Sequence, residues 1–358
     1  TGLTRNLMNL ADIKQLHIEL TDKCQAACPM CPRNFHGGKT RDFIRNQDIS
    51  LEQFKEWFPK DFLAQLNNFY SCGNYGDPCF AKDCLEIYEY VRQCNPTARM
   101  GIHTNGGMRN TEWWARLAVA MGKNSDVIFA VDGFKGKHEL YRKNTNFDKV
   151  IENMQSFIKA GGTAHVDSLI FAHNEDETEE LEKYLKDMGV DKINFVSTTR
   201  FYDMERFEVQ DNSGDTEYYI YPPTKHKREP TKHLDEFLDP VARKQFINAS
   251  IIDPKCINSN EIYVNANGDM FPCCWIAANY VEEPIEETIT LHTLRNINVE
   301  DSKAVMKDIG IPNVEDGVLH KDSELWPKLK NYWAGKNNCM TCALQCSNLV
   351  YESKGRYD

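Results

Sequence analysis

The sequence lacks any long hydrophobic segment. No run of about eighteen apolar residues occurs among its 358 residues, which excludes a membrane-spanning helix. The first residues, TGLTRNLMNLADIK, contain no long apolar stretch and do not read as a secretory signal. Positive charge is also in deficit, because 42 lysines and arginines face 53 aspartates and glutamates. The net charge of -11 argues against a nucleic-acid backbone as the main partner.

Cysteine, by contrast, is abundant. The 13 cysteines are odd in number and several stand in C-x2-C groups, which favours metal ligation in a reducing cytoplasm over a disulfide framework. Cys24, Cys28 and Cys31 form a C-x3-C-x2-C pattern directly after an apolar run that predicts the first strand. Three thiolates can hold three irons of a cuboidal [4Fe-4S] cluster and leave the fourth iron open to a small molecule.

A cysteine triplet can also serve structural zinc, act as a redox dithiol or simply be buried in the core. Zinc sites usually have four ligands in two pairs, and only His17 and His36 stand near these cysteines. A dithiol would use the last two cysteines and leave Cys24 without a role. The spacing therefore favours an iron–sulfur cluster.

The segment that contains the triplet, ELTDKCQAACPMCPRN, resembles the signature of the radical S-adenosylmethionine (SAM) enzymes. The resemblance implies reductive cleavage of SAM to a 5'-deoxyadenosyl radical, which abstracts a hydrogen atom from a substrate. It also implies a flavodoxin or ferredoxin as the electron donor. Met30 departs from the family, which usually has an aromatic residue before the last cysteine. Methionine is still a large apolar side chain that can pack beside the adenine.

Strand-like runs alternate with amphipathic helical segments over residues 1–197, which predicts a parallel sheet with crossover helices. The predicted strands are Gln15 to Leu20, Asn68 to Ser71, Arg99 to Thr104, Val127 to Val131, Ala164 to Phe171 and Lys192 to Val196. The predicted helices follow the N-cap Ser50 and cover Lys82 to Gln93, Thr111 to Met121, Phe147 to Ala160 and Asp176 to Met188. Six such units resemble the partial (β/α)6 TIM-like barrel of radical SAM enzymes, an α/β fold whose chemistry lies where the strands end.

Polar loops follow four of these strands. The loop from Cys72 to Pro78, with Gly73, Asn74, Tyr75, Gly76 and Asp77, is similar to the GGEP-type segment of the family, which holds the SAM amino group. Taken alone it is an ordinary turn, although glycines allow close approach and a carboxylate can accept from an ammonium. By the same resemblance, the rest of SAM is faced by Thr104, Asn105, Gly106, Asp132, His173, Asn174 and Glu175, with Arg142 a candidate for its carboxylate. For His173 and Arg142 a loop hydrogen bond or a surface ion pair is an equal alternative.

A second cysteine set begins at Cys256. The following segment predicts a hairpin, with strands Glu261 to Val264 and Asp269 to Pro272 around an Asn267-Gly268 turn, and the hairpin brings Cys256 near Cys273 and Cys274. Far downstream, a C-x2-C-x3-C pattern is formed by Cys339, Cys342 and Cys346. The combined pattern resembles the SPASM or twitch domain, which carries auxiliary clusters in radical SAM maturases.

The number of cysteines limits the number of auxiliary clusters. By family resemblance a domain with two clusters uses about seven or eight cysteines, whereas six are present here. We therefore expect one auxiliary [4Fe-4S] cluster on Cys256, on Cys273 or Cys274, and on two or more of Cys339, Cys342 and Cys346. Structural zinc is the alternative. The sequence does not decide whether the auxiliary cluster has an open iron.

The predicted organisation is a barrel over residues 1–197, a connecting insert over 198–250 and a small α+β Fe-S domain over 251–358. The insert is polar, rich in tyrosine and broken by Pro222, Pro223 and Pro230. It fits a lid over the barrel mouth and a flexible tether equally well.

Four further cysteines belong to neither set. Cys84 and Cys94 lie on or at the end of a predicted helix and read as small buried apolar residues. Cys72 and Cys79 flank the predicted SAM loop, and an epimerase would use one of them to return a hydrogen atom to a substrate radical.

The architecture is typical of enzymes that oxidise, crosslink or epimerise ribosomally made peptides. About fifteen residues precede the first strand, too few for a leader-peptide recognition domain, so a separate protein would supply one. The second hypothesis is a dehydrogenase or epimerase of a sugar or aminocyclitol. The third is a non-catalytic metal-bound scaffold, against which the triplet and its glycine loop both argue.

Overall fold

The chain folds into two compact units. One comprises Ile18–Pro230, and the other comprises Thr1–His17 with Thr231–Asp358. The structure is a computed structural model, and it describes residues 10–198, 200–201, 204–226, 239–251, 253, 255–280, 302–307, 310, 314, 328 and 340–347. No helix in these ranges is long and apolar enough to cross a membrane.

Parallel strands form the centre of the first unit. Strand β1 (Gln15–Ile18) ends where this unit begins. The next five strands lie side by side in chain order, and each pairs in parallel with its neighbour. They are β2 (Asn68–Ser71), β3 (Arg99–Thr104), β4 (Ser125–Ala130), β5 (Thr163–Ile170) and β6 (Lys192–Ser197). The predicted α/β fold with a parallel sheet core is thus confirmed.

Helices connect the strands, as parallel pairing requires. They are α1 (Leu51–Trp57), α2 (Lys60–Ala64), α3 (Cys84–Cys94), α4 (Thr111–Met121), α5 (His138–Tyr141), α6 (Phe147–Lys159) and α7 (Thr178–Asp187). The predicted capping box at α1 is present, since Gln53 N–H donates to Ser50 Oγ at 3.2 Å and Ser50 N–H donates to Gln53 Oε1 at 3.1 Å. The helix predicted from Asp176 begins later, because Glu175–Glu177 forms a separate 3-10 turn.

Aromatic side chains fill the layer between sheet and helices. Trp114 of α4 packs on Phe129 of β4 with ring centroids 5.1 Å apart, and Phe129 contacts Phe157 of α6 at 6.0 Å. All three side chains are buried. Because each aromatic residue buries a large apolar area, this layer holds the strand ends, and therefore the loops that follow them, in one arrangement.

A hairpin that the sequence did not predict follows β6. Strands β7 (Phe207–Gln210) and β8 (Thr216–Ile220) pair antiparallel. Backbone bonds join it to the rest of the unit, from Gln210 N–H to the His36 carbonyl and from Ala172 N–H to the Tyr221 carbonyl, at 2.9 and 3.1 Å. The described residues of the predicted insert up to 226 are therefore folded and belong to the same unit as the strands, whereas its described residues from 239 onwards belong to the second unit.

The second unit contains a small hairpin and short helices. Strands β9 (Glu261–Val264) and β10 (Met270–Phe271) pair antiparallel around the predicted Asn267-Gly268 turn. Gly268 has a φ of 84°, which glycine adopts without strain. The described helices of this unit include α8 (Pro240–Ala249), α9 (Lys255–Asn258), α10 (Cys274–Asn279) and α11 (Met340–Cys346).

Candidate active site

The first cysteine triplet lies on the loop between β1 and α1. Cys28 is buried, and Cys24 and Cys31 are half-buried. A turn closed by Cys31 N–H and the Cys28 carbonyl, 3.0 Å apart, holds the last two close together. Burial raises the pKa of Cys24 well above its usual value, and Asp77 and the other two thiols raise it further. A cation binding to these sulfurs would therefore displace protons.

Apolar side chains surround the triplet. Cys28 belongs to a buried cluster with Tyr141, Phe171 and Val209, and the half-buried Met30 packs against that cluster. Val209 comes from the β7–β8 hairpin, so the hairpin covers one side of the cysteine loop. Such a surround excludes water and strengthens electrostatic interactions at the sulfurs.

Two of the sulfurs receive hydrogen bonds from side chains. Asn105 Nδ2 lies 3.6 Å from Cys24 Sγ, and Arg142 Nη1 lies 3.9 Å from Cys28 Sγ. Burial raises the pKa of Cys28 to about 11, against the opposing effect of the Arg142 charge. The predicted SAM residues Asn105 and Arg142 thus contact the cysteines themselves.

A buried glutamate shapes the loop after β2. Glu19 is 2% exposed, and its Oε1 accepts from the backbone N–H groups of Tyr75 at 2.7 Å and Gly76 at 2.9 Å. A Cβ on Gly73 would lie 2.1 Å from the Gly76 carbonyl oxygen, and one on Gly76 would lie 1.8 Å from the Thr21 carbonyl oxygen. Both glycines are therefore required by close backbone contacts.

Asp77 joins the loop after β2 to the loop after β3. Its carboxylate accepts from the Thr104 hydroxyl at 2.9 Å, from Asn105 N–H at 2.7 Å and from Asn105 Nδ2 at 2.6 Å. It also caps the 3-10 turn that follows, through Cys79 N–H at 3.0 Å. Burial nevertheless raises the pKa of Asp77. Asp77 thus holds two strand-end loops together, a role that the sequence did not indicate.

Asp132, after β4, forms a second buried network. Its Oδ2 accepts from Arg142 Nε at 2.6 Å, and its Oδ1 accepts from Leu169 N–H at 2.6 Å. Its own N–H donates to His138 Nδ1 at 3.1 Å. Burial opposes the charge of Arg142, but Asp132 and Cys28 outweigh burial and raise the pKa of Arg142 above its usual value. The alternative of a surface ion pair therefore does not describe Arg142.

We predict that His138 makes folding sensitive to acid. Burial lowers the pKa of this fully buried histidine to about 4, below the usual value of about 6.5, so only the unfolded chain takes up a proton between these values. The free energy of unfolding should therefore fall as pH drops from 6.5 to 4, by about 3 kcal/mol from this group. Urea unfolding of wild type and His138→Gln at several pH values tests this. Parallel pH profiles of the two proteins would contradict it.

His173 follows β5 and stacks on Phe171, with ring centroids 5.2 Å apart and ring planes 6° apart. Burial lowers its pKa to about 4, so the ring is neutral near pH 7. Its Nε2 is buried and has no hydrogen-bond partner among the described residues. A neutral ring nitrogen in this position is able to bind a polar group of a ligand.

The two cysteines beside the glycine loop differ in exposure. Cys72 is half-buried, whereas Cys79 is fully buried and its pKa is raised far above its usual value by burial and by Cys84. Substrate cannot reach the Cys79 sulfur in this arrangement. Of the two predicted hydrogen donors, only Cys72 retains solvent access.

The second cysteine set comes together within its own unit. Cys273 precedes α10, and burial raises its pKa well above the usual value, with further increases from the thiols of Cys256, Cys274 and Cys346. Asp253 N–H donates to the Cys346 carbonyl at 2.8 Å, which links the two distant segments. Cys342 lies one turn before Cys346 on α11, whereas Cys339 lies outside the described residues.

Within the described ranges, no three His, Cys, Asp or Glu side chains are grouped to hold a single metal ion. A cuboidal cluster makes a different demand, because each cysteine binds a separate iron. The donor set fits such a cluster at the triplet, because Cys28 belongs to one buried side-chain cluster, Cys24 and Cys31 pack against that cluster, and two N–H donors reach the sulfurs.

The sequence of the chain is similar to that of known proteins. Residues 18–188 match the family model described as the radical SAM superfamily, a range that includes the triplet and the polar loops after β2 to β5. A GTP 3',8-cyclase of Aquifex aeolicus (strain VF5) is 24% identical over 270 residues, which cover 73% of this chain and 82% of that protein.

Two solved structures are also similar to the chain. Native anSMEcpe with bound AdoMet superposes with a TM-score of 0.46 at 17% identity, over 72% of this chain and 74% of that chain. Streptococcus suis SuiB bound to S-adenosylmethionine superposes with a TM-score of 0.48 at 12% identity, over 92% of this chain and 77% of that chain.

Proposed function

We propose that the protein is a radical SAM enzyme, which cleaves SAM reductively and abstracts a hydrogen atom from a substrate; the match of residues 18–188 to the radical SAM superfamily model supports this. Cys24, Cys28 and Cys31 would hold the [4Fe-4S] cluster. Bound there, the cluster supplies the electron that converts SAM to methionine and a 5'-deoxyadenosyl radical. The observation that carries the proposal is that the three cysteines pack in or against one buried cluster. The loop after β2 lies next to them, since Asp77 N–H donates to the Lys23 carbonyl at 2.9 Å.

The chain's own residues bind and orient SAM in this proposal. The backbone of residues 73–77 approaches the SAM amino group. The loop keeps its shape through close backbone contacts at Gly73 and Gly76, where no side chain fits. Met30 packs beside the adenine, and the unpartnered Nε2 of His173 binds a polar group of SAM. The β7–β8 hairpin limits access of water from one side.

The direct test measures 5'-deoxyadenosine. Protein reconstituted anaerobically with iron and sulfide is incubated with SAM and sodium dithionite, and the product is quantified by mass spectrometry. We expect product in molar excess over enzyme, and none when protein is omitted. A protein that carries its full iron yet forms no deoxyadenosine, with or without cell extract, would leave the scaffold hypothesis instead.

We further propose one auxiliary [4Fe-4S] cluster in the second unit. The best supported ligands are Cys256, Cys346 and one of the adjacent Cys273 and Cys274, because the thiols of Cys256, Cys274 and Cys346 all raise the pKa of Cys273. Cys342 is an alternative on the same helix as Cys346, and Cys339 stays a sequence-based prediction. Structural zinc is the competing occupant.

A Cys273→Ala variant tests the auxiliary cluster. Iron should fall from about eight to about four atoms per chain, because one cubane is lost and the other retained. Cys94→Ala, at the end of α3, is the matched control and should keep full iron. Metal analysis after reconstitution checks this, and zinc lost in place of iron would assign the site a structural role.

For the substrate, we propose a ribosomally made peptide, supported by the second cysteine set. The similarity to GTP 3',8-cyclase favours the alternative, a small molecule. Fractions of cell extract above and below about 1 kDa separate the two hypotheses, because the fraction that contains the substrate should stimulate deoxyadenosine formation. Stimulation by the low-mass fraction alone would contradict the peptide hypothesis.

A further inference from the structure

The two side-chain N–H donors that contact the cysteine triplet are each held by a buried carboxylate. Asn105 Nδ2 contacts Cys24 Sγ at 3.6 Å and Asp77 Oδ2 at 2.6 Å. Arg142 contacts Cys28 Sγ at 3.9 Å through Nη1, and its Nε donates to Asp132 Oδ2 at 2.6 Å. In each case a buried carboxylate holds a donor that also reaches a sulfur. The carboxylates follow β2 and β4, so the two arrangements have separate origins in the chain.

The orientation of the Asn105 amide is determined by its neighbours. Its Oδ1 accepts from Gln25 Nε2 at 2.6 Å and from Gly107 N–H at 2.9 Å, so the oxygen end is occupied. The amino end must then point to Asp77 and Cys24. A flipped amide would set its oxygen against the Asp77 carboxylate and leave Gln25 and Gly107 facing a second donor.

The orientation of the Arg142 guanidinium is also determined by its hydrogen bond to Asp132. Asp132 is fully buried, and its other oxygen accepts from Leu169 N–H at 2.6 Å. Arg142 itself is 18% exposed, so solvent screens its charge only weakly. Since Nε is engaged by Asp132, the planar group directs Nη1 towards Cys28.

We propose that Asn105 and Arg142 hydrogen-bond the cluster thiolates and raise the reduction potential of the cluster, with Asp77 and Asp132 as positioning residues. This inference rests on the proposed function. Reduction adds one electron, taken from dithionite in the experiment, and increases the negative charge on the cluster and its sulfurs. N–H donors at the sulfurs favour that reduced form, because they stabilise the added charge. Asn105 and Arg142 thus act on the cluster in addition to any contact with SAM.

An anaerobic redox titration of the reconstituted protein without SAM tests the proposal. The signal of this cluster is the electron paramagnetic resonance signal that disappears when Cys24, Cys28 and Cys31 are replaced together. The variants are Asn105→Ala and Arg142→Lys. The lysine retains a charge for Asp132, but its donors lie on a single nitrogen and it lacks the separate Nη1 group that reaches Cys28. Asp77 retains the donors Thr104 and Cys79 when Asn105 is shortened.

Each variant should lower the equilibrium constant for one-electron reduction about tenfold, equal to about 59 mV, and the double variant about a hundredfold. Arg92→Lys is the matched control, because Arg92 donates only to groups distant from the triplet, such as the Pro96 carbonyl at 2.8 Å. The reduction potential of the cluster in Arg92→Lys should equal that in wild type.

Unchanged reduction potentials in both iron-loaded variants would overturn the inference. This holds even if the variants bind SAM more weakly than wild type does. If the triple cysteine replacement removes neither iron nor the signal, the proposed function itself fails. The two failures are therefore distinguishable.

Discussion

Replacement of Cys24, Cys28 and Cys31 together by alanine is expected to abolish deoxyadenosine formation. These thiols are the proposed iron ligands, whereas backbone contacts of the loop, such as Ala27 N–H to the Lys143 carbonyl at 2.9 Å, do not involve them. Iron should fall by about four atoms per chain, since one cubane is lost. Metal analysis and the deoxyadenosine assay together measure the effect.

The control for this experiment removes a cysteine that lies elsewhere. Cys94→Ala alters the last residue of α3 and should retain both iron and activity. Circular dichroism should show the same helix content in the triple variant as in wild type. Deoxyadenosine formation by the triple variant at more than about 1% of the wild-type rate would be inconsistent with the site proposed here.

The second large effect is expected from Gly76→Ala. The added Cβ would lie 1.8 Å from the Thr21 carbonyl oxygen, which is backbone and cannot turn away. The loop must then shift. The hydrogen bond from Gly76 N–H to Glu19 Oε1, which is 2.9 Å long in the wild-type structure, would break. A shift of about 1 Å in a loop that positions a substrate costs about a hundredfold in rate. We therefore expect kcat/KM for SAM to fall about a hundredfold while the iron content stays unchanged.

Gly136→Ala provides the comparison. A Cβ at Gly136 has no atom within 4 Å, although its φ of 87° makes any side chain strained. That substitution should cost about 1 kcal/mol of stability and leave SAM cleavage near the wild-type rate. Wild-type kinetics in Gly76→Ala would show that the loop after β2 does not position SAM.

Local sequence signals accounted for most of the secondary structure. The bounds of β2, β3 and α4 agree with the prediction residue for residue, because apolar periodicity and caps such as Asn110 act within a few residues. The β7–β8 hairpin was missed because its strands are only 4 and 5 residues long. β7 alternates buried and half-buried residues, but most of β8 is exposed and shows no such alternation. The buried Glu19 carried a weak signal, as a single carboxylate within the apolar run LHIEL.

The sequence by itself determined the chemistry that this chain can support: three thiols at a fixed short spacing, a glycine loop, and alternating strands and helices. Only the tertiary structure decided which of these side chains contact one another. Asp77 and Asn105 are 28 residues apart, and Arg142 and Cys28 are 114 residues apart. Such pairs form because parallel strands bring their carboxyl ends to one edge, and a contact of this kind depends on sheet order rather than on any local pattern.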